Sequence, residues 1–307
     1  MAQPLPMDDL LIVGAGPAGL TAAIYGARFR LRVRVLDGGP GRAALIPCTH
    51  NHAGFPDGVS GLELVARMRR QAEQFGAVVQ PSRATALHAA GGGFTATGDF
   101  GELRARAVLL ATGASDVEPR MPHLAAALRV GALRYCPVCD AYEVADRRLA
   151  VIGTGDHGLR EAAFLRAYTT DVALVAADGP HALSPAQRDR AGRLGIALLD
   201  GPARTLALEA GGLAFSAGGA RRVFDSVYPA LGSDAHSGLA TALGAAATGE
   251  GCLQVDAHQR TTVAGLYAAG DVIAGLDQIS HAMGSAAVAA TAIRNDLAQQ
   301  ADILRLD

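Results

Sequence analysis

Tryptophan is absent from these 307 residues, and Phe and Tyr bring the aromatic share to only 5%. Charge is sparse and nearly balanced: 18% of residues are charged and the net charge is −2. The charges are spread along the chain, so no basic face is available for nucleic acid or anionic lipid. Long apolar runs are missing as well. Residues 1–9 carry no basic n-region, and the first hydrophobic segment, Leu10 to Val13, stops at Gly14, so neither a signal peptide nor a membrane span is read. Of four cysteines, Cys48 and Cys252 stand alone, which is too few for a disulfide scaffold and fits a reducing compartment. The expectation is a cytoplasmic protein that binds neither nucleic acid nor membrane. Alanine and glycine fill the space, as suits tightly packed helix-on-sheet layers, and the length allows two domains with separate cores.

One unit occurs twice. Leu10-Leu-Ile-Val-Gly14-Ala-Gly16-Pro17-Ala18-Gly19-Leu20 is echoed by Leu149-Ala-Val-Ile-Gly153-Thr-Gly155-Asp-His-Gly158-Leu159. Each copy reads as a buried parallel strand, a glycine turn and an alanine-rich helix, followed by a second apolar run (Val33 to Leu36, Val172 to Val175) and an acidic residue, Asp37 or Asp178. Val108-Leu-Leu-Ala-Thr112-Gly113 and Val227-Tyr-Pro-Ala-Leu231-Gly232 read as a late strand of each unit. The Ser, Asp, Gly and Pro content of residues 114–122 and 232–244 marks two interdomain crossings. A helix is expected over Met283 to Asn295, so the chain returns to its first domain.

The first fingerprint has its full context: strand before, helix after, and Asp37 about twenty residues on. Gly14 permits the tight turn, Gly16 lets backbone approach a pyrophosphate, Gly19 permits close helix-strand packing, and Asp37 can accept from a ribose hydroxyl. Between the two fingerprints lies Cys136-Pro137-Val138-Cys139-Asp140. A CxxC flanked by two nucleotide sites points to a reversible dithiol exchanging electrons with a bound redox cofactor. Pro137 suits the first turn of a helix, whose N-terminus lowers a thiol pKa. A zinc site needs a second ligand pair, which Cys48, His50, His52 and Cys252 do not offer at the usual spacing, so no metal is expected.

These marks, together with Ala111-Thr112-Gly113 and Ala269-Gly270-Asp271, resemble the low-molecular-weight thioredoxin reductases among the pyridine nucleotide-disulfide oxidoreductases, over nearly the whole chain. The resemblance implies an α/β fold of two Rossmann-like three-layer nucleotide-binding domains, the second inserted into the first. The FAD domain takes residues 1–115 and 243–307, and the inserted nicotinamide-binding-like domain takes 116–242. It implies that the first fingerprint (Gly14, Gly16, Pro17, Ala18, Gly19), Asp37, Thr112, Gly113 and Gly270 hold FAD, with Asp271 on the ribityl chain. Asn51 falls on the flavin side, and Gln278 lies where the last helix begins beneath the isoalloxazine. By the same resemblance Cys139 faces the flavin, Cys136 attacks an external disulfide and Asp140 is the general acid. Family members are homodimers whose inserted domain rotates about the crossings.

The second fingerprint departs from that family. Residues 176–181 read Ala-Ala-Asp-Gly-Pro-His, with no Arg or Lys to meet a 2′-phosphate. A charge pair about 4 Å apart at an effective dielectric near 20 is worth roughly 4 kcal/mol, so replacing that attraction by Asp178 repulsion strongly disfavours NADP. NADH is therefore favoured over NADPH, with Gly153, Gly155, Gly158 and Asp178 as its candidate site. Asp156 and His157 in the turn suit a pyrophosphate poorly. That keeps a second reading open: a thioredoxin-reductase-like dithiol oxidase passing electrons to oxygen or another non-nicotinamide partner. A third reading is a non-catalytic flavin redox sensor. The leading expectation is an FAD-dependent thiol-disulfide oxidoreductase whose partner is a thioredoxin-like protein or a small-molecule disulfide or dithiol.

Overall fold

A computed structural model describes residues 7–300 of the chain. The outermost residues of the expected first domain, 1–6 and 301–307, lie outside the described residues. Strand β1 (Met7–Val13) runs through the first glycine turn into helix α1 (Pro17–Arg28), and β2 (Val33–Asp37) completes a βαβ unit. Helix α2 (Gly61–Gln74), its first turn capped by the Ser60 hydroxyl, leads to β3 (Val78–Pro81). An antiparallel meander of β4 (Ala84–Ala90), β5 (Gly93–Gly98) and the long β6 (Gly101–Leu110) follows. Then come β7 (Ala114–Asp116), α3 (Leu124–Arg129) and α4 (Pro137–Asp140).

The second unit repeats the first. It comprises β8 (Leu149–Ile152), α5 (Gly155–Leu165), β9 (Val172–Val175), α6 (Pro185–Arg193) and β10 (Ala197–Leu199). A second meander, β11 (Arg204–Glu209), β12 (Gly212–Ala217) and β13 (Ala220–Phe224), precedes β14 (Ser226–Pro229). The last described elements are β15 (Ser233–Ala235), α7 (Gly238–Thr241), β16 (Leu266–Ala268) and the long α8 (Ile279–Gln300).

The topology displays the duplication. The parallel order β3-β2-β1-β6 of the large sheet matches β10-β9-β8-β14 of the smaller one. Strand β6 serves two partners on one edge: Gly101–Ala105 pairs antiparallel with β5, and Val108–Leu110 pairs parallel with β16. Both faces of each parallel sheet are covered, which is why the strands read as unbroken apolar runs. In β1, Leu10 and Ile12 pack with α1 and α8, whereas Leu11 and Val13 pack on the opposite side with Phe94, Leu253 and Val272. In β8, Leu149 and Val151 meet Leu159 and Leu165 of α5, while Ala150 and Ile152 meet Phe215 and Phe224 of the meander. Alanine lets helices come close: Ala22, Ala23, Ala286, Ala289 and Ala290 are fully buried. No helix among the described residues is long and apolar enough to cross a membrane.

The two segments read as crossings pair with each other. Strands β7 and β15 form an antiparallel ribbon, Ala114 opposite Ala235 and Asp116 opposite Ser233. His236 closes it: its backbone N–H donates to the Gly113 carbonyl at 3.0 Å, and its ring nitrogens lie 2.9 Å from the Thr112 carbonyl and the Ser115 hydroxyl.

Candidate active site

The first glycine turn is shaped by close packing. Gly14 has φ +111°, and a side chain there would run into the Ala111 carbonyl; one at Gly19 would strike the Gly14 carbonyl. Around Gly16, by contrast, a Cβ would meet nothing within 4 Å, so this part of the loop is open to a ligand. Pro17 and Ala18 open α1, with Gly16 at its N-cap. Asp37, the last residue of β2, accepts from the Gly39 N–H at 3.0 Å and pairs with Arg69. Gly270 has φ +78° and sits where a Cβ would come within 2.9 Å of the Ala18 methyl. Thr112 donates its hydroxyl to the His236 carbonyl at 2.7 Å, and Gly113 (φ +69°) begins the turn into the ribbon.

Asp271 belongs to a charge cluster that no motif announces. Arg42 grips Asp116 with two bonds, at 3.0 and 2.6 Å, and also donates to Asp271 at 3.2 Å and Asp277 at 2.7 Å. Burial alone would lower the Arg42 pKa, but Asp116 and its companions win and raise it. Asp116 and Asp271 both stand above the usual carboxylate range, chiefly through burial, with Arg42 opposing the rise.

Cys136 and Cys139 are joined as a disulfide. Cys136 is the N-cap of α4 and Pro137 its first residue, but the helix is a single turn, so the local N–H groups matter more than a long dipole. Cys136 Sγ accepts from the Cys139 N–H at 3.1 Å. The Gln278 side-chain amide donates to both sulfurs, at 3.2 Å to Cys136 and 3.1 Å to Cys139. Asn51 in turn donates to the Gln278 side-chain oxygen at 2.9 Å, and its own oxygen accepts from the Thr49 hydroxyl at 2.9 Å. Residues at 51, 136, 139 and 278 thus meet at the N-terminus of α8.

Asp140 points into a different set of partners. Its carboxylate accepts from Arg134 at 2.8 Å and from the Tyr228 hydroxyl at 2.9 Å. Burial raises its pKa against the opposing pull of Arg134. Arg134 belongs to no recognisable motif and Tyr228 lies in a run read only as a strand; proximity in the fold brings them to Asp140. The same holds for His50, which donates from Nδ1 to Glu143 at 3.0 Å while Cys48 Sγ lies 3.6 Å from its Nε2.

Two cavities flank the disulfide turn. One of about 390 Å³ touches Cys136 and lies between α5 and the segment Gly275–Gln278. The other, of about 270 Å³, touches Cys139, Asp140, Asn51 and His50.

In the second glycine turn a Cβ at Gly153 would come within 2.9 Å of Ala230, and one at Gly158 within 3.0 Å of Gly153, so both glycines serve packing. Gly155 has φ +61° with open space around it. Helix α5 already begins there, so Asp156 and His157 lie in its first turn, where Asp156 pairs with Arg160 and His157 Nε2 lies 3.4 Å from Glu161. Asp178 is exposed beyond the end of β9.

Paired Rossmann-like modules and a cysteine disulfide define a class of two-domain redox proteins. A family model described as pyridine nucleotide-disulphide oxidoreductase matches residues 8–286, and the chain belongs to that family. A thioredoxin reductase of Streptomyces coelicolor is 37% identical over 187 residues, which cover 60% of this chain and 58% of that protein. The chain thus matches less than two thirds of that relative's length. Among solved structures, a thioredoxin reductase from Streptococcus pyogenes has TM-score 0.88 at 26% identity, covering 95% of this chain and 99% of that one. The structure of HlmI has TM-score 0.88 at 27% identity, covering 96% and 93%.

Proposed function

We propose that the chain is an FAD-dependent thiol-disulfide oxidoreductase, moving electron pairs between a nicotinamide, FAD, the Cys136–Cys139 disulfide and an external disulfide. The observation that carries this reading is the convergence of Asn51, Gln278 and both sulfurs at the start of α8. The open backbone at Gly16, with Gly14 and Gly19 fixed by packing, fits a pyrophosphate. Gly14 to Gly19, Asp37, Thr112, Gly113, Gly270 and Asp271 would hold FAD, with Asn51 and Gln278 toward its ring. When bound, FAD supplies a two-electron carrier beside the sulfurs.

The chain's own groups then divide the sulfur chemistry. In the disulfide, Cys136 receives N–H bonds from Cys139 and Gln278, whereas Cys139 receives that of Gln278 alone, and this reading keeps the same donors for the reduced pair. Charge-assisted bonds favour a thiolate, so Cys136 is the better nucleophile toward an external disulfide. Asp140, whose pKa burial raises against the pull of Arg134, lies on the Cys139 side and is the general acid in this reading.

NADH is the preferred donor, at Gly153, Gly155, Gly158 and Asp178. This reading takes residues 116–242 as the inserted unit, a thioredoxin-like protein or small disulfide as partner, and a cytoplasmic homodimer as the working form. A specific observation supports a second reading, the dithiol oxidase: α5 presents Asp156 in its first turn, where a pyrophosphate would approach. Anaerobic titration of the purified yellow protein with NADH, NADPH and dithiothreitol separates the readings. Bleaching by NADH at lower concentration than NADPH is expected. Bleaching by dithiothreitol alone, with peroxide released in air, selects the oxidase instead.

A further inference from the structure

Among the described residues, two ion pairs join residues 116–242 to the rest of the chain. One, Arg42 with Asp116, lies at the end of the β7–β15 ribbon, where the backbone already ties the two units together. The other belongs to the disulfide turn: His50 donates from Nδ1 to the Glu143 carboxylate at 3.0 Å.

Each partner is braced from behind. Glu143 sits in the 3-10 turn Tyr142–Val144 directly after α4, and Ala141 and Val144 are buried in one core cluster with Leu149, Leu159 and Tyr228. The Glu143 carboxylate therefore moves with the cysteine turn as one piece. On the other side, Thr49 and Val59 exchange backbone bonds at 2.9 and 3.1 Å, closing the loop that carries His50. A Cβ at Gly58 would come within 2.6 Å of the His50 ring, so the glycine lets the ring lie against backbone. Cys48 Sγ, 3.6 Å from Nε2, flanks the ring's other nitrogen.

The remaining polar contacts at this junction are weaker. Asn51 reaches the Val138 carbonyl at 3.5 Å, the outer limit of a hydrogen bond, and the Gln278 amide meets disulfide sulfurs, which are weak acceptors. The bond from His50 to Glu143 is charge-assisted and is the strongest of the set. We propose that His50 and Glu143 are positioning residues, a clasp that keeps the disulfide turn seated against Gln278 and sets how long it stays there. This rests on the oxidoreductase reading above, with 116–242 as its inserted unit, and adds control over when the sulfurs leave the cofactor side. The His50 side chain is 46% exposed and that of Glu143 25%, so the clasp releases into water without stranding a buried charge.

The test follows orientation rather than turnover. In the flavin-loaded protein, Leu62 in α2 and Arg193 in α6, both exposed, are replaced by a keto amino acid for attachment of donor and acceptor dyes. Single molecules are watched in an excess of unlabelled chain. The wild type should move between two transfer efficiencies, with the one set by the orientation described here dominating. Glu143→Ala and His50→Ala should each raise the rate of leaving that state by about fivefold, the upper end for a half-exposed pair, and the double variant by no more than either alone. His50→Gln, which keeps an N–H donor, should recover part of the loss. Single effects that multiply in the double variant, or exit rates within twofold of wild type, overturn the clasp and leave the oxidoreductase reading standing. One fixed orientation in the wild type and in every variant means that 116–242 does not move, which overturns the clasp together with that part of the reading.

Discussion

Replacing Arg42 by Gln should unsettle the junction between the large sheet and the ribbon. The change removes both bonds to Asp116 and those to Asp271 and Asp277, leaving three carboxylates facing one another. Breaking a buried ion pair by removing one partner costs about 3–5 kcal/mol. Arg42 is 24% exposed and Asp277 34%, so solvent relieves part of the repulsion and the lower end, about 3 kcal/mol, is expected. For units of this size that is a fall of roughly 6–12 °C in thermal midpoint. Acid should narrow the deficit. Asp116 and Asp271 already stand above the usual range, and without Arg42 they rise further, so the variant gains on the wild type as pH falls toward the range where these carboxyls take up protons. The cycle with Asp116→Asn, followed by far-UV ellipticity, should give a coupling of about 1–2 kcal/mol. Additive single effects within about 0.3 kcal/mol, or a deficit that does not change with pH, would refute the account.

Three further outcomes can be measured. Glu161 holds its proton to about 7 in the folded protein against 4.5 as the ordinary value, so stability is fully present at low pH and falls as pH rises across that interval. The loss totals about 3 kcal/mol, and Glu161→Gln should flatten the urea-midpoint profile between pH 5 and 8. Gln278→Leu removes an N–H from both sulfurs and should raise the pKa of the reduced Cys136 thiol by about one unit, read from the pH dependence of iodoacetamide alkylation; an unshifted profile counts against the proposed nucleophile. His236→Ala should speed amide exchange at Ala114–Asp116 and Ser233–Ala235 at least tenfold while leaving β1 and β8 protected. Equal speeding in all four strands would mean a global loss of stability instead.

What could be read in the sequence was local. Glycines at 14, 19, 153 and 158 are demanded by backbone contacts a few residues away or at the adjoining strand end, so the turn chemistry is written beside them. The parallel strands announce themselves by being apolar on both faces, and Cys136-Pro137 carries its own cap. The expected helix over 283–295 extends to Ile279–Gln300, because its flanking turns are polar yet still helical. The two meanders escaped notice, since Thr, Ala, Gly and Arg alternate there without a strong period. The charge clusters were out of reach for another reason. Arg42 lies 229 positions from Asp271, and Tyr228 lies 88 from Asp140, so only the folded topology brings them together.

The paired crossings have a mechanical consequence. Two separate tethers would let one sheet slide, tilt or swing against the other. A ribbon of hydrogen-bonded strands, each three residues and so roughly 10 Å long, behaves as a flat strip: soft in torsion, stiff against shear. With His236 riveting one end and Arg42 bound to Asp116 at the other, the strip acts as a short torsion bar. Any relative movement of the sheets would be channelled into twist about one line, and the ease of that twist would be set by two side chains outside both glycine turns.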